Sequence, residues 1–153
     1  TSVLTVDRLE KVTTEITPSA RHRIKMWAFA VEKIDEKSLW GWGMDASRTI
    51  PQDDRRLAPN MEIMPLHPHN AFLQVRLELG IPGAVIVAAL VGLFFVVAGR
   101  NHDRFSAAVI TGAGGAYLTV AALSYGVWQN WWVAFAWALA AMTALAVEKR
   151  EMD

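Results

Sequence analysis

The chain contains no cysteine. A disulfide frame and a cysteine-built zinc ribbon are therefore excluded, and the redox compartment cannot be read from thiol usage. Net charge is missing as well: 15 Lys and Arg balance 15 Asp and Glu over 153 residues. The balance also holds on either side of residue 80, so nothing steers the protein toward a phosphate backbone and nucleic acid is not an expected partner. There is no internal repeat and no low-complexity tract. No signal peptide precedes Thr1, which leads to the expectation of a piece of a longer chain.

The second half is poor in charge of either sign. Residues 1–79 hold 11 Lys or Arg and 11 Asp or Glu, whereas residues 80–153 hold four of each. The apolar content, 53% with seven Trp, is unevenly placed to match. Three uncharged runs result: GIPGAVIVAALVGLFFVVAG (80–99), FSAAVITGAGGAYLTVAALSYGV (105–127) and WQNWWVAFAWALAAMTALAV (128–147). At about 1.5 Å per residue each covers the roughly 30 Å hydrocarbon core of a bilayer. The competing reading, a buried helical hairpin of a soluble protein, does not ordinarily supply three such runs. Gly112, Gly114, Gly115 and Ala116 offer a small-residue face for close helix packing.

Orientation follows from the short connections. Arg100 and Arg104 flank the first, and Lys149 and Arg150 lie in the tail EKREMD. The connection near 124–132 has no basic residue and carries Tyr125, Trp128, Trp131 and Trp132, an interfacial aromatic belt. The positive-inside rule puts the basic loop and the C-terminus in the cytoplasm, and residues 1–79 on the far side, periplasmic in a two-membrane bacterium. The expected fold is an all-α membrane protein: a periplasmic segment 1–79, then three transmembrane helices within 80–153 and a cytoplasmic tail.

Within the extramembrane segment, TPSARHRIKMWAFAVEKIDEK predicts a helix over about 18–37, capped by Thr17 with Pro18 in the first position. At about 100° per residue, Ala20, Ile24, Trp27, Ala30, Val31 and Ile34 share one face. Arg23 falls inside that arc, whereas Arg21 and Lys25 point elsewhere. A lone arginine there either snorkels to water or holds an anionic ligand, since its planar fork suits phosphate oxygens. LWGWG (39–43) is a glycine-punctuated turn. Residues 45–65 read as a loop covering a site, with Arg48, Arg55 and Arg56 as solvated surface. Residues 3–16 form a weak amphipathic helix.

HPHNAFLQVRLELGIPG (67–83) joins the two halves. Asn70 is a good N-cap for a short helix over 70–79 whose apolar positions are Phe72, Leu73, Leu77 and Leu79. Gly80 can end or bend it, and Pro82 suits the first turn of the following span. His69 then sits at a helix start on the membrane boundary. The positive dipole end disfavours an imidazolium there, and a neutral imidazole is what a general base requires. His67 and His69 as a metal pair would lack the accompanying Asp, Glu or Cys cluster, so no metal and no cofactor are expected. Plain loop histidines are the remaining alternative.

His69-Asn70, nine residues, then Gly80-Ile-Pro-Gly83 resembles the signature of the O-antigen ligase family: His-Asn, nine positions, Gly, two positions, Gly. RHRIKMWAFAVEKIDEKSLWGWG similarly resembles that family's Arg-x-x-x-Trp helix followed by a Gly-aromatic-Gly turn. The likeness covers about residues 19–98; Trp40 departs from the expected approach to the turn, and three spans stand where the family has about a dozen. The resemblance implies the C-terminal part of a polytopic, GT-C-like glycosyltransferase of the bacterial inner membrane. It further implies metal-independent transfer of a polysaccharide from undecaprenyl pyrophosphate to a sugar hydroxyl of lipid A-core, on the periplasmic face. His69 would contact or deprotonate the acceptor hydroxyl, and Arg23 would neutralise the departing pyrophosphate, with Arg21 as the other candidate. Asn70 would act as a cap; His67 would orient His69 or touch ligand; Arg76 would meet lipid phosphate or snorkel. O-antigen polymerases share this type of segment and are the alternative. A membrane transport component is a third reading, which the spans do not favour, since apart from Ser106, Gln129 and Asn130 at their ends they hold only Thr111, Thr119, Ser124 and Thr143 as polar residues beyond glycine and the aromatics.

Overall fold

The computed structural model describes residues 17–52, 56–58, 61–100 and 103–152. The helix expected over 3–16 and Arg55 lie outside the described residues. The elements run α1 (Pro18–Glu36), a single 3-10 turn (Ala46–Arg48), β1 (Arg56–Ala58), β2 (Met61–Glu62), α2 (Ala71–Gly99), α3 (Arg104–Leu123) and α4 (Asn130–Met152). In chain order α1 packs on α2, α2 on α3, and α3 on α4.

α1 starts where the sequence places it: Thr17 Oγ1 accepts from Ala20 N at 3.4 Å, and Pro18 contributes no N–H that would need a partner. Its buried face is rotated from the expected one. Met26, Phe29, Ala30 and Lys33 point inward at helical spacing, while Ile24, Trp27 and Val31 are only half-buried. Lys33 tolerates burial because its ammonium binds Glu36 at 2.8 Å and lies 5.7 Å from the rings of Phe29 and Trp42. The core joins these residues to Ile34, Ile50, Ile63, Met64 and Leu77. Ile50, Ile63 and Met64 thus anchor segment 45–65 toward both of its ends. Gln52 pins it further, accepting from Met64 N at 2.9 Å, and β1 and β2 pair as a small antiparallel hairpin.

α2 holds both the short helix and the first span, joined at a kink where Gly80 takes φ 64° and ψ −156°. The kink has a backbone logic. Pro82 has no N–H to offer the Glu78 carbonyl, and the turn at Gly80 separates Ile81 N from Leu77 O. Both carbonyls find donors on the LWGWG turn: Trp42 N meets Leu77 O at 3.0 Å and Gly43 N meets Glu78 O at 2.8 Å. Ile81 N in turn donates to Leu39 O at 3.0 Å. The two chains approach so closely that glycine is required on each side. A Cβ on Gly41 would stand 2.4 Å from Glu78 O, and one on Gly80 would stand 2.1 Å from Leu39 O.

Three helices are long and apolar enough to cross a membrane: Ala71–Gly99, Arg104–Leu123 and Asn130–Glu148. Only 11%, 11% and 6% of their most apolar windows are buried, so these runs are not the core of a soluble hairpin. Of the small-residue face only Gly114 is tightly used, lying under the ring of Phe94; Gly112 and Gly115 face open space. α3 ends at Leu123 rather than near 127, and α4 begins at Asn130, leaving 124–129 as a non-helical connection.

Gly80→Ala should lower stability by on the order of 3 kcal/mol, from positive-φ strain together with the clash at Leu39 O. Gly92→Ala, where a Cβ meets nothing within 4 Å, should be close to neutral. Thermal unfolding of the two variants in detergent checks the contrast; equal melting temperatures would refute the backbone account of the kink.

Candidate functional site

At the end of the bundle where α2 begins and α3 ends, segments 67–70 and 124–129 meet the N-terminal half of α1. His69 takes φ 50°, a left-handed conformation that few non-glycine residues adopt. Its neighbours hold it there. His69 N donates to His67 Nδ1 at 3.2 Å, and Asn70, in extended backbone, caps α2 by accepting from Leu73 N at 3.0 Å. The His69 ring projects onto the end of α3, with Nδ1 2.6 Å from Ser124 O. A carbonyl only accepts, so Nδ1 carries the proton and neutral His69 keeps its lone pair on Nε2. The ring thus lies between the N-terminus of α2 and the C-terminus of α3.

Arg23 reaches the same place from α1, donating through Nη1 to Leu123 O. One turn on, Trp27 donates its indole N–H to Pro68 O at 2.8 Å. The Arg-x-x-x-Trp pair therefore grips both segments at once. Arg23 and His69 sit on consecutive carbonyls, 123 and 124, and one donor of the five-donor guanidinium makes the Leu123 contact. The other cations are placed differently. Arg21, two residues earlier, projects from α1 about 200° around the helix from Arg23. Arg76 Nη1 donates to Ser38 O at 2.6 Å, just beyond the opposite end of α1.

His67 is buried, at 4% exposure, with its ring 4.3 Å from that of His69 and against the Gly126 backbone. Its Nδ1 accepts from His69 N, so neutral His67 carries its proton on Nε2, which faces the Gln129 amide. The amide oxygen is the partner that proton requires, which orients the Gln129 side chain with Oε1 toward His67. Burial, reinforced by His69 and Arg48, lowers the His67 pKa from 6.5 to about 4.

Three contacts fasten the 124–129 connection along the first turns of α2: His69 to Ser124, Gln74 Oε1 to Val127 N at 2.9 Å, and Glu78 Oε2 to Trp128 Nε1 at 2.5 Å. Gln74 and Glu78 are among the most deeply buried side chains. Neither is among the apolar positions that the sequence marks on this helix, and of those Phe72 is 49% exposed. The available signal was two polar residues at i and i+4 immediately before a membrane span, where buried polar groups need partners. His22, also passed over, faces Ile63 O at 3.4 Å through Nε2. Beyond the site, apolar cavities of about 550 and 400 Å³ run between the spanning helices. The smaller opens beside Tyr125 and Trp131.

Because His67 is held neutral, the unfolded chain binds a proton more readily than the folded protein between pH 6.5 and about 4. The stability His67 contributes is full above pH 6.5 and is lost as pH falls through that window. Melting curves in detergent should therefore drop less steeply with acidification for His67→Gln than for the parent; parallel curves would contradict the assignment.

A family model described as O-antigen ligase matches residues 3–88. A protein of Rickettsia conorii named as a candidate polysaccharide ligase is 33% identical over 133 residues, covering 84% of this chain and 32% of the relative. One from Rickettsia bellii, named likewise, is 35% identical over 134 residues, with coverages of 84% and 33%. A third, from Rickettsia typhi, is 34% identical over 124 residues, with coverages of 76% and 30%. The chain spans about a third of the length of these relatives. No solved structure matches it. With the His-Asn and double-glycine motif at the kink and three apolar helices behind it, the chain belongs to the O-antigen ligase family and is that of a multi-pass membrane protein.

Proposed function

We propose that this protein transfers a polysaccharide from undecaprenyl pyrophosphate to a sugar hydroxyl of lipid A-core, at the periplasmic face of the bacterial inner membrane. The observation that carries the reading is the meeting of Arg23 and His69 on the consecutive carbonyls of Leu123 and Ser124. The acceptor hydroxyl attacks the anomeric carbon of the donor while the bond from that carbon to the pyrophosphate oxygen breaks. His69 Nε2 takes the hydroxyl proton, a role its Nδ1–H···O=C bond prepares by fixing the tautomer. Arg23 balances the negative charge that grows on the departing pyrophosphate.

Location supports the same reading. A lipid-linked donor is met at the membrane boundary, and the basic residues at 100–104 and in the tail favour a periplasmic side for this end of the bundle and a cytoplasmic C-terminus. The apolar cavity beside Tyr125 and Trp131 offers an isoprenoid tail a path between the spans from a head group at Arg23. His67 and Asn70 serve by building the loop that presents His69. Arg76, which donates to Ser38 O at 2.6 Å, lies where it can also meet lipid phosphate.

A lipopolysaccharide gel tests the proposal in a strain lacking the intact gene, complemented with full-length protein at matched expression. His69→Asn is the informative variant, because asparagine tolerates the left-handed backbone that alanine does not. Wild type should restore long-chain O-antigen, and His69→Asn should cut transfer roughly 100-fold or more, with lipid-linked polymer accumulating. Full rescue by His69→Asn would remove His69 from the chemistry. Core bearing a single repeat unit in the deletion strain would assign a polymerase instead.

A further inference from the structure

We propose that Glu78 is a positioning residue for this site: its carboxylate holds segment 124–129 through Gln74 and Trp128, and so keeps the Ser124 carbonyl against His69. The inference rests on the reading of His69 as the proton acceptor.

Glu78 is fully buried, two turns along α2 from Asn70. Burying a carboxylate is costly unless its oxygens are satisfied. Here they are, by donors alone: Oε1 receives Ser47 N at 3.3 Å, Ser47 Oγ at 2.5 Å and Gln74 Nε2 at 3.0 Å. Oε2 receives Asp45 N at 2.8 Å and Trp128 Nε1 at 2.5 Å. Both oxygens must accept, a requirement that a carboxylate meets and an amide does not. In either orientation a glutamine at this position turns its NH2 toward at least one group that can only donate.

The reach of Glu78 to His69 runs through two arms. The first is Gln74, whose Nε2 is committed to Glu78, so that its Oε1 faces and accepts from Val127 N. The second is Trp128, whose ring is fixed by its N–H bond to Oε2. Between them they hold residues 127 and 128. On one side of that anchor lies Ser124, whose carbonyl sets the His69 tautomer; on the other lies Gln129, which faces His67. A role confined to stabilising the 39–47 turn would need the Ser47 and Asp45 contacts and neither arm.

The test is ¹⁵N NMR of histidine-labelled full-length protein in nanodiscs, with the His69 resonances identified by their loss in His69→Asn. In the parent, His69 should show protonated Nδ1 and unprotonated Nε2. In Glu78→Gln the signal should move toward the Nε2–H tautomer that free imidazole prefers. The rate of transfer should fall roughly tenfold or more, the scale of one lost buried hydrogen bond to a charged group, with KM for the lipid-linked donor unchanged. Trp128→Phe keeps the ring and removes one donor, and should shift the same signal in the same direction by less. A folded Glu78→Gln protein with the parent's His69 signal would overturn the proposal. If Glu78→Gln does not fold, an unshifted signal in Trp128→Phe overturns it. Should His69→Asn prove active, the base reading fails while the tautomer measurement still decides whether Glu78 positions the ring.

Discussion

A helix that bends at the edge of a bilayer must find partners for the backbone groups that the bend releases, and the architecture of this protein follows from how it does so. Gly80 and Pro82 break α2 at its junction with the first span, freeing the carbonyls of Leu77 and Glu78. Trp42 N, Gly43 N and Leu39 O close the gap with three backbone bonds, which lash the turn after α1 to the kink. Water cannot do this job inside a membrane-adjacent core, where each unmet polar group costs on the order of 1–3 kcal/mol. The turn brings α1 with it, so the Gly-aromatic-Gly motif and the double-glycine motif are two halves of one joint.

Once that joint is set, the rest of the site is a matter of reach. α1 lies across the start of α2 and extends Arg23 and Trp27 to Leu123 and Pro68. α2 opens with a loop whose left-handed His69 is braced by His67 behind and Asn70 ahead. The end of α3 supplies two carbonyls that α-helix geometry leaves without partners, and they are used to aim a guanidinium and an imidazole. The negative end of a helix dipole thus helps position the groups proposed to meet a pyrophosphate and an acceptor hydroxyl.

Much of this was readable residue by residue, and the assembly was not. Uncharged runs of about twenty residues announce spans because bilayer thickness leaves little choice. Thr17, Pro18, Asn70 and Gly80 announce helix ends because capping and positive-φ chemistry are local. His69 and Arg23 came from motif likeness, and no local rule says that they meet. Their meeting depends on α3 stopping at Leu123, whereas SYGV is as uncharged as the span before it and reads as its end. The same blindness hid Gln74 and Glu78: inward polar residues look like an outward face until the 124–129 segment that satisfies them is in place. On α1 the inward face lies about one residue from the expected one, because it includes Lys33, a charged residue that Glu36 and two aromatic rings support there.

The central claim, that Arg23 holds the diphosphate and His69 moves the proton, is tested most directly by separating binding from transfer. Full-length protein in nanodiscs would be titrated with undecaprenyl pyrophosphate, and transfer assayed on the same preparations. The account predicts that Arg23→Lys raises the Kd roughly tenfold or more, as loss of a charge-assisted fork contact should, while His69→Asn leaves the Kd within about twofold and abolishes transfer. Unchanged binding in Arg23→Lys, or an equal loss of binding in both variants, would contradict it.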